Sequence, residues 1–294
     1  MISPDATVVC CCVLAGALYG LLGSVAILRR QALRGDVLAH AAWPGVLIAF
    51  ALTLDRDPII LATGALFTAL FASFCIHYLE ARFPRLRGDG APALILTGFF
   101  AAGTVAWSLI QRNIEGVGQA GLKSFLLGQA AAVQWPDAWL LLSVFSISLI
   151  FMFCFWRDMT LILFDREQAV LLGRNAFIIE LILDILLSMA VVSGLTIVGV
   201  VVLSALLVAV PLAARPFALR LPHFFSLSTL LGGLIGLTTP LVVTFLENTL
   251  AQDSKGVPTG PVFVLLASFL AFLSLWIQQW RVNTVPAVGK DLKP

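Results

Sequence analysis

Long apolar segments separated by short polar connections dominate this chain. Nine of them come close to or exceed the length of about 20 residues that an α-helix needs to cross a bilayer. The sixth and seventh segments share one apolar stretch, which we divide at Ser193-Gly194. The pattern predicts a polytopic bundle of nine transmembrane helices. They cover residues 6–28, 36–54, 58–79, 91–111, 137–156, 176–193, 195–215, 224–246 and 260–281.

The composition excludes most classes of soluble protein. The 294 residues are 60% hydrophobic and 12% charged, with a mean hydropathy of +1.01. Soluble domains average about 45–50% apolar and about 25% charged residues. The net charge of +2 provides no field that would attract nucleic acid, so no nucleic-acid partner is expected. Long continuous apolar runs are typical of helical membrane proteins rather than of β-barrels. The predicted fold class is therefore all-α, in contact with membrane lipid.

The distribution of basic residues predicts the orientation in the membrane. With the N-terminus outside, the inner connections hold fourteen of the eighteen Lys and Arg residues. Cytoplasmic loops carry such an excess of Lys and Arg. We therefore predict an external N-terminus, a cytoplasmic C-terminus and an odd number of spans. Residues 112–136 form the longest outer connection, and they are expected to lie in the interface or to re-enter the membrane.

The clearest candidate for chemistry opens the second segment. Ionisable residues inside membrane spans are costly and usually functional. Asp36 and His40 are four residues apart and therefore share a helix face. A carboxylate and an imidazole form half of a divalent-metal site, and Pro44-Gly45 just beyond them would interrupt the backbone hydrogen bonds. Alternatively, Asp36 caps the second helix and His40 reaches the headgroups. The residues alone leave both interpretations open.

A second acidic pair, Glu180 and Asp184, opens the sixth segment with the same spacing. It is the weaker candidate for the pathway, because Arg157 and Arg174 lie on the same side and could pair with these carboxylates. Four other ionisable residues are expected at the membrane interface or on a solvated rim: His77, His223, Glu247 and Asp253.

A short capped helix is predicted in the inner connection after the fifth segment. Asp165 and Gln168 have the spacing of a capping box, and Gly173 is suited to end the helix. The residues between these caps are too few to span a bilayer. We expect a surface helix that offers a partner a rigid contact.

Small residues predict where helices approach closely. Gly16, Gly20 and Gly23 lie near one face of the first segment, and Gly232 and Gly236 do the same in the eighth. Glycines at such spacings allow helix backbones to touch in membranes. We interpret these positions as packing contacts rather than as ligand sites.

Several of these stretches resemble one known family. Residues 28–45 contain Gly35-Asp36, Ala39-His40 and Pro44-Gly45. In this they are similar to the leading motif of the permease subunits of bacterial ABC importers for manganese, zinc and iron, the ABC-3 family. Residues 164–173 resemble the family's ATPase-contact motif, and 198–215 and 258–260 resemble two later motifs. Two positions depart from the pattern. Thr196 stands where many members carry Lys, and Glu180 stands in place of Asp.

The resemblance implies roles for particular residues. It implies one transmembrane permease domain, 1–294, with an ATPase-contact helix at 164–174. Asp36 and His40 would line the metal path, with Glu180 and Asp184 as weaker candidates. ATP would be hydrolysed on a separate chain, and this chain indeed lacks the Gly-x-x-x-x-Gly-Lys-Ser/Thr sequence that binds nucleotide phosphates. The implied ATPase-contact residues are Asp165, Glu167, Ala169 and Gly173.

The resemblance also implies an assembly and a mechanism. A second permease chain, identical or homologous, would pair with this one in the bacterial inner membrane. A cytoplasmic ATPase and an extracytoplasmic metal-binding protein would complete the importer. A divalent Mn, Zn or Fe ion would pass by alternating access, with no permanently bound cofactor. The alternatives are a permease for a larger metal chelate, and an ion-driven secondary transporter or channel.

Overall fold

The computed structural model describes residues 6–55, 57–86, 88–113, 133–250 and 257–284, and within these ranges every regular element is helical. Most of the predicted outer connection 112–136 therefore lies outside the described residues. Single 3₁₀ turns occur at Pro84–Leu86 and Arg215–Phe217. The helices are α1 (Ala6–Leu28), α2 (Ala32–Thr53), α3 (Pro58–Arg82), α4 (Gly90–Asn113), α5 (Trp135–Cys154), α6 (Trp156–Phe164), α7 (Arg166–Leu171), α8 (Ala176–Val198), α9 (Val200–Ala214), α10 (Leu221–Leu250) and α11 (Thr259–Thr284).

Eight of the described helices are long and apolar enough to cross a membrane. The predicted seventh span is the exception, because α9 has only 15 residues. At 1.5 Å per residue it is about 22 Å long, less than the hydrocarbon thickness of about 30 Å. The all-α membrane bundle is confirmed, but one of the nine predicted spans is a short apolar helix. Helix α6, which directly follows α5, was not predicted.

The break between α8 and α9 lies at Gly199 rather than at the predicted Ser193-Gly194. Gly199 has φ 85° and ψ 157°, a conformation that essentially only glycine adopts. Gly194 lies inside α8, where an added Cβ would collide with the hydroxyl of the fully buried Tyr19. The small residue at 194 therefore makes room for a side chain of α1, and it does not end the helix.

Helix α1 lies at the centre of the bundle, packed against α10, α9 and α5. Its glycines make the close contacts that the sequence predicts. A Cβ at Gly16 or Gly20 would run into the α10 backbone, and one at Gly23 would run into the α9 backbone. In α10, Gly232 and Gly236 face the α1 backbone in the same way. These small residues bring the helix backbones into direct contact.

A tight corner joins α1 to α2. Gln31 N–H donates to the Ala26 carbonyl at 2.9 Å, and Arg30 N–H donates to the Ile27 carbonyl at 3.0 Å. This is the Schellman pattern of helix ends, with Arg30 at φ 55° in the left-handed position that glycine usually occupies. Because α2 begins right after the corner, Asp36 lies within the helix. The alternative in which Asp36 caps α2 is therefore wrong.

Helix α2 also continues through Pro44-Gly45, where the sequence analysis expected an interruption. Gly45 serves packing, since a Cβ there would collide with the α3 backbone at Gly64. Trp43 packs against Trp107 of α4, with ring centroids 5.8 Å apart. Residues 43–45 therefore pack α2 against α3 and α4.

Candidate functional site

Asp36 and His40 face the same side of α2, as the sequence predicts. His40 Nε2 lies 3.4 Å from Asp36 Oδ1, longer than a typical hydrogen bond of about 2.7–3.2 Å. The Asp36 side chain keeps 29% of its surface exposed, and the His40 side chain keeps 19%. Both groups are metal ligands, and both remain accessible from one side of the helix.

Two neighbouring helices flank this pair. Ser204 of α9 hydrogen-bonds to the Asp36 carboxylate, and Phe100 of α4 meets the His40 ring edge-on with centroids 5.4 Å apart. Gly35, next to Asp36, lies against α9, because a Cβ there would lie 2.7 Å from Leu207 Cδ1 and would displace it. Contacts from α4 and α9 therefore fix the position of the pair.

One chain offers few ligands for an ion. Within the described part of the chain, no group of three or more His, Cys, Asp or Glu side chains could hold a metal. Zinc takes four ligands, and manganese prefers octahedral oxygen-rich sites. Asp36 and His40 of a single chain are therefore half of a site at most.

The second acidic pair does not form a common site. Glu180 pairs with Arg166, whose Nε lies 2.9 Å from Glu180 Oε1, whereas Asp184 pairs with Arg29 and Arg34. The expected partners were Arg157 and Arg174, and the structure corrects this, since Arg174 pairs with Asp158 instead. The partners of Asp184 lie 155 and 150 residues away in sequence, so only the tertiary structure identifies them.

Four side chains surround the Asp184 carboxylate, which retains 2% of its surface exposed. Arg29 donates to Oδ1 at 2.8 Å and Arg34 donates to Oδ2 at 2.6 Å. Ser73 donates to Oδ2 at 2.9 Å. His77 Nε2 lies 2.7 Å from the same oxygen, which assigns the proton to that nitrogen. With its acceptor positions occupied by these donors, Asp184 is left out of the metal path proposed below.

Arg34 extends this charge network to α3, because its Nη2 also donates to Glu80 at 2.9 Å. The α3 residues Ser73, His77 and Glu80 follow the spacing of one helix face. That spacing is the sequence signal that could have revealed the network. His77 contacts a buried carboxylate, and its expected position at the membrane interface stays a prediction.

The short helix α7 forms as predicted. The Asp165 carboxylate accepts a hydrogen bond from Gln168 N–H at 2.9 Å. Gly173 has φ 73°, and Arg174 N–H donates to the Ala169 carbonyl at 3.0 Å. Helix α7 thus has both of the caps that its sequence indicates.

The outward face of α7 differs from the expectation. Ala169 is 0% exposed and packs among apolar side chains of α6 and α8, so it cannot be a direct contact for another protein. Glu167 is exposed. Three apolar residues that the sequence analysis did not select are also exposed: Val170, Leu171 and Leu172. The exposed end of α7 is therefore apolar.

Together these features define a class. Eight apolar helices make the chain a multi-pass membrane protein, and one helix carries an accessible carboxylate–imidazole pair in a bundle that also presents a capped surface helix. The ABC 3 transport family matches residues 6–278. The chain belongs to this family, and it is a membrane permease subunit of the ABC type.

Two relatives and one solved structure place the chain within the family. The zinc transport system membrane protein TroC of Treponema pallidum is 33% identical over 280 residues, which cover 92% of this chain and 91% of TroC. The manganese transport system membrane protein MntC of Bacillus subtilis is 34% identical over 262 residues. That match covers 89% of this chain but only 58% of MntC.

The structural likeness concerns the fold. A structure of PsaBC from Streptococcus pneumoniae in complex with Fab superposes with a TM-score of 0.76 at 24% identity. The match covers 94% of this chain and 93% of the PsaBC chain. The helical bundle described above is therefore shared with the PsaBC structure.

Proposed function

We propose that this chain moves a divalent transition-metal ion, Mn, Zn or Fe, into the cytoplasm. The observation that carries the proposal is the Asp36–His40 pair, accessible on one face of α2 in a permease of this family. The relatives named for zinc and manganese transport support the same cargo. The ion is the transported substrate.

The proposed metal path runs between two permease chains. Two copies related by a closed two-fold axis bring equivalent residues around that axis. Two carboxylates and two imidazoles then complete the ligand set that one chain leaves half-filled. The second chain is identical or homologous, and the site is transient because transport requires release.

We further propose that the whole chain acts as one transmembrane domain in the bacterial inner membrane. A separate ATPase docks at residues 164–174, where Leu171 is 85% exposed. An extracytoplasmic binding protein delivers the ion. Closure of the ATPase moves α7, and the two permease chains rock between inward- and outward-open states. ATP is hydrolysed on the partner chain.

Two substitutions test the metal path. Asp36→Asn keeps the shape and removes the charge, and His40→Ala removes a nitrogen ligand. Each should abolish uptake of Mn²⁺ and Zn²⁺ salts while expression and assembly with the ATPase persist. Asp89→Asn and His223→Ala are matched controls, because both residues are exposed and neither belongs to α2. The controls should transport at the wild-type rate.

The outcome also separates the rival functions. Wild-type uptake in both site variants would remove the pair from the pathway. Transport of a metal chelate without transport of free salts would favour the chelate importer. Uptake driven by an ion gradient without the ATPase would favour a secondary transporter or channel.

A further inference from the structure

We propose that Asp184 is a positioning residue for the metal path. Its hydrogen bond with Arg34 fixes the first turn of α2, which precedes Asp36. The same bond connects that turn to α8, which packs beside α7. This inference rests on the proposed function, because it assigns the charge network a role in placing the proposed ligands. Under this inference the buried Asp184 carboxylate positions the proposed ligands without binding the ion itself.

Asp184 binds residues on both sides of the α1–α2 corner. Arg29 directly follows α1 and Arg34 lies in the first turn of α2, and both donate to the same carboxylate. Gln31 occupies the cap position of α2 without a side-chain cap hydrogen bond. The Arg34 side chain therefore adds distant contacts to a first turn that is otherwise held only by the backbone hydrogen bonds of the corner.

The first turn of α2 is also restrained from its other side. Gly35 lies against Leu207 of α9, while Arg34 reaches α8 and α3 through Asp184 and Glu80. Asp36 is the next residue after Gly35 in the same helix. Because a helix moves as a rigid element over one turn, displacement of Arg34 displaces the Asp36 carboxylate too.

The network is mostly buried, although the side chains of Glu80 and His77 are each 17% exposed, and its arginines and carboxylates balance in charge. The two arginine side chains are 11% and 4% exposed and the Asp184 side chain is 2% exposed. Two cations face two carboxylates, Asp184 and Glu80. A buried pair is strongly disrupted when only one partner is removed, because the other charge is left uncompensated. The network therefore has few alternative arrangements.

Helix α8 links this network to the cytoplasmic surface. Glu180 lies one helical turn before Asp184 and pairs with Arg166 at the start of α7. Ala176, the first residue of α8, packs in the same apolar cluster as Ala169 of α7. A movement of α7 therefore displaces α8. Asp184 in α8 then displaces Arg34, and Arg34 displaces Asp36 in the same helix.

The test removes the charges without unbalancing the network. Asp184→Leu/Arg29→Met deletes one anion and one cation, and apolar replacement of a buried ion pair is often tolerated. Arg34→Met/Glu80→Leu, the second charge-balanced pair, removes the α2 side of the same network. Thr239→Val is the control, since Thr239 is a fully buried polar residue of α10 outside the network.

The measurement is Mn²⁺ and Zn²⁺ transported per ATP hydrolysed, in vesicles that contain the full importer. We expect the first double variant to assemble with the ATPase, while the transport ratio falls about 10- to 100-fold, as for other residues that orient metal ligands. Thr239→Val should keep the wild-type ratio. A purely structural network would leave the ratio unchanged in any variant that assembles.

The other outcomes also decide between a positioning and a structural role. If an assembled double variant transports as much metal per ATP as the wild type, while Asp36→Asn still abolishes uptake, Asp184 is not a positioning residue. Wild-type uptake in Asp36→Asn overturns the proposed metal path and this inference with it. If neither double variant assembles, the network serves folding rather than positioning, and the inference is wrong.

Discussion

The contact between α1 and α10 allows a quantitative comparison of two identical substitutions. Gly16→Ala adds one methyl group in the centre of the bundle, where it would lie 2.8 Å from the Gly232 carbonyl carbon. Gly98→Ala adds the same group in α4, where no atom lies within 4 Å of it. Both glycines are inside helices, so the intrinsic effect of the change is the same at both sites.

The expected magnitudes follow from the local space. At Gly16 the obstacle is backbone, so α1 and α10 must separate, and overpacking of this kind costs about 1–3 kcal/mol. The separation also stretches the 2.8 Å hydrogen bond from the Ser228 hydroxyl to the Gly20 carbonyl. At Gly98 alanine is the better helix former, by up to about 1 kcal/mol. Because this gain is common to both sites, the two variants should differ by the overpacking cost alone, about 2 kcal/mol.

Thermal unfolding in detergent measures this difference. Cys11 and Cys12 are free and buried, so a thiol-reactive dye reports when α1 leaves the bundle. The midpoint of Gly16→Ala should lie about 4–8 °C below that of Gly98→Ala, and the midpoint of Gly98→Ala should equal or slightly exceed the wild-type value. Equal midpoints for the two variants would refute the close contact of α1 and α10.

Three further predictions concern helix α7 and the orientation in the membrane. Leu171→Asp should reduce co-purification of the ATPase without lowering the unfolding midpoint, because Leu171 is 85% exposed. Ala169→Trp should lower the midpoint itself, because Ala169 is buried, and an unchanged midpoint would contradict that packing. Single-cysteine labelling should reach position 89 only from the cytoplasm and position 118 only from outside, and the reverse pattern would refute the predicted orientation.

Sequence alone predicts the features of this protein that depend on composition or on neighbouring residues. Apolar length predicts the helices, because only a fully hydrogen-bonded helix of sufficient length satisfies its backbone in lipid. The caps of α7 at Asp165 and Gly173 are local, and both are confirmed. The close glycine contacts of α1 follow from spacing along one helix face. The placement of Asp36 and His40 on one face follows from the same periodicity.

The tertiary structure decides whatever depends on residues that are distant in sequence. Asp184 lies 155 residues from Arg29 and 107 from His77, so no local pattern could indicate which cations it pairs with. Ala169 matches a contact motif, yet the packing of α6 and α8 buries it. Gly194 and Gly199 look alike in the sequence, but Tyr19 of another helix occupies the space beside Gly194. A glycine permits either a close neighbour or an unusual backbone angle, and only the surrounding helices determine which of the two applies.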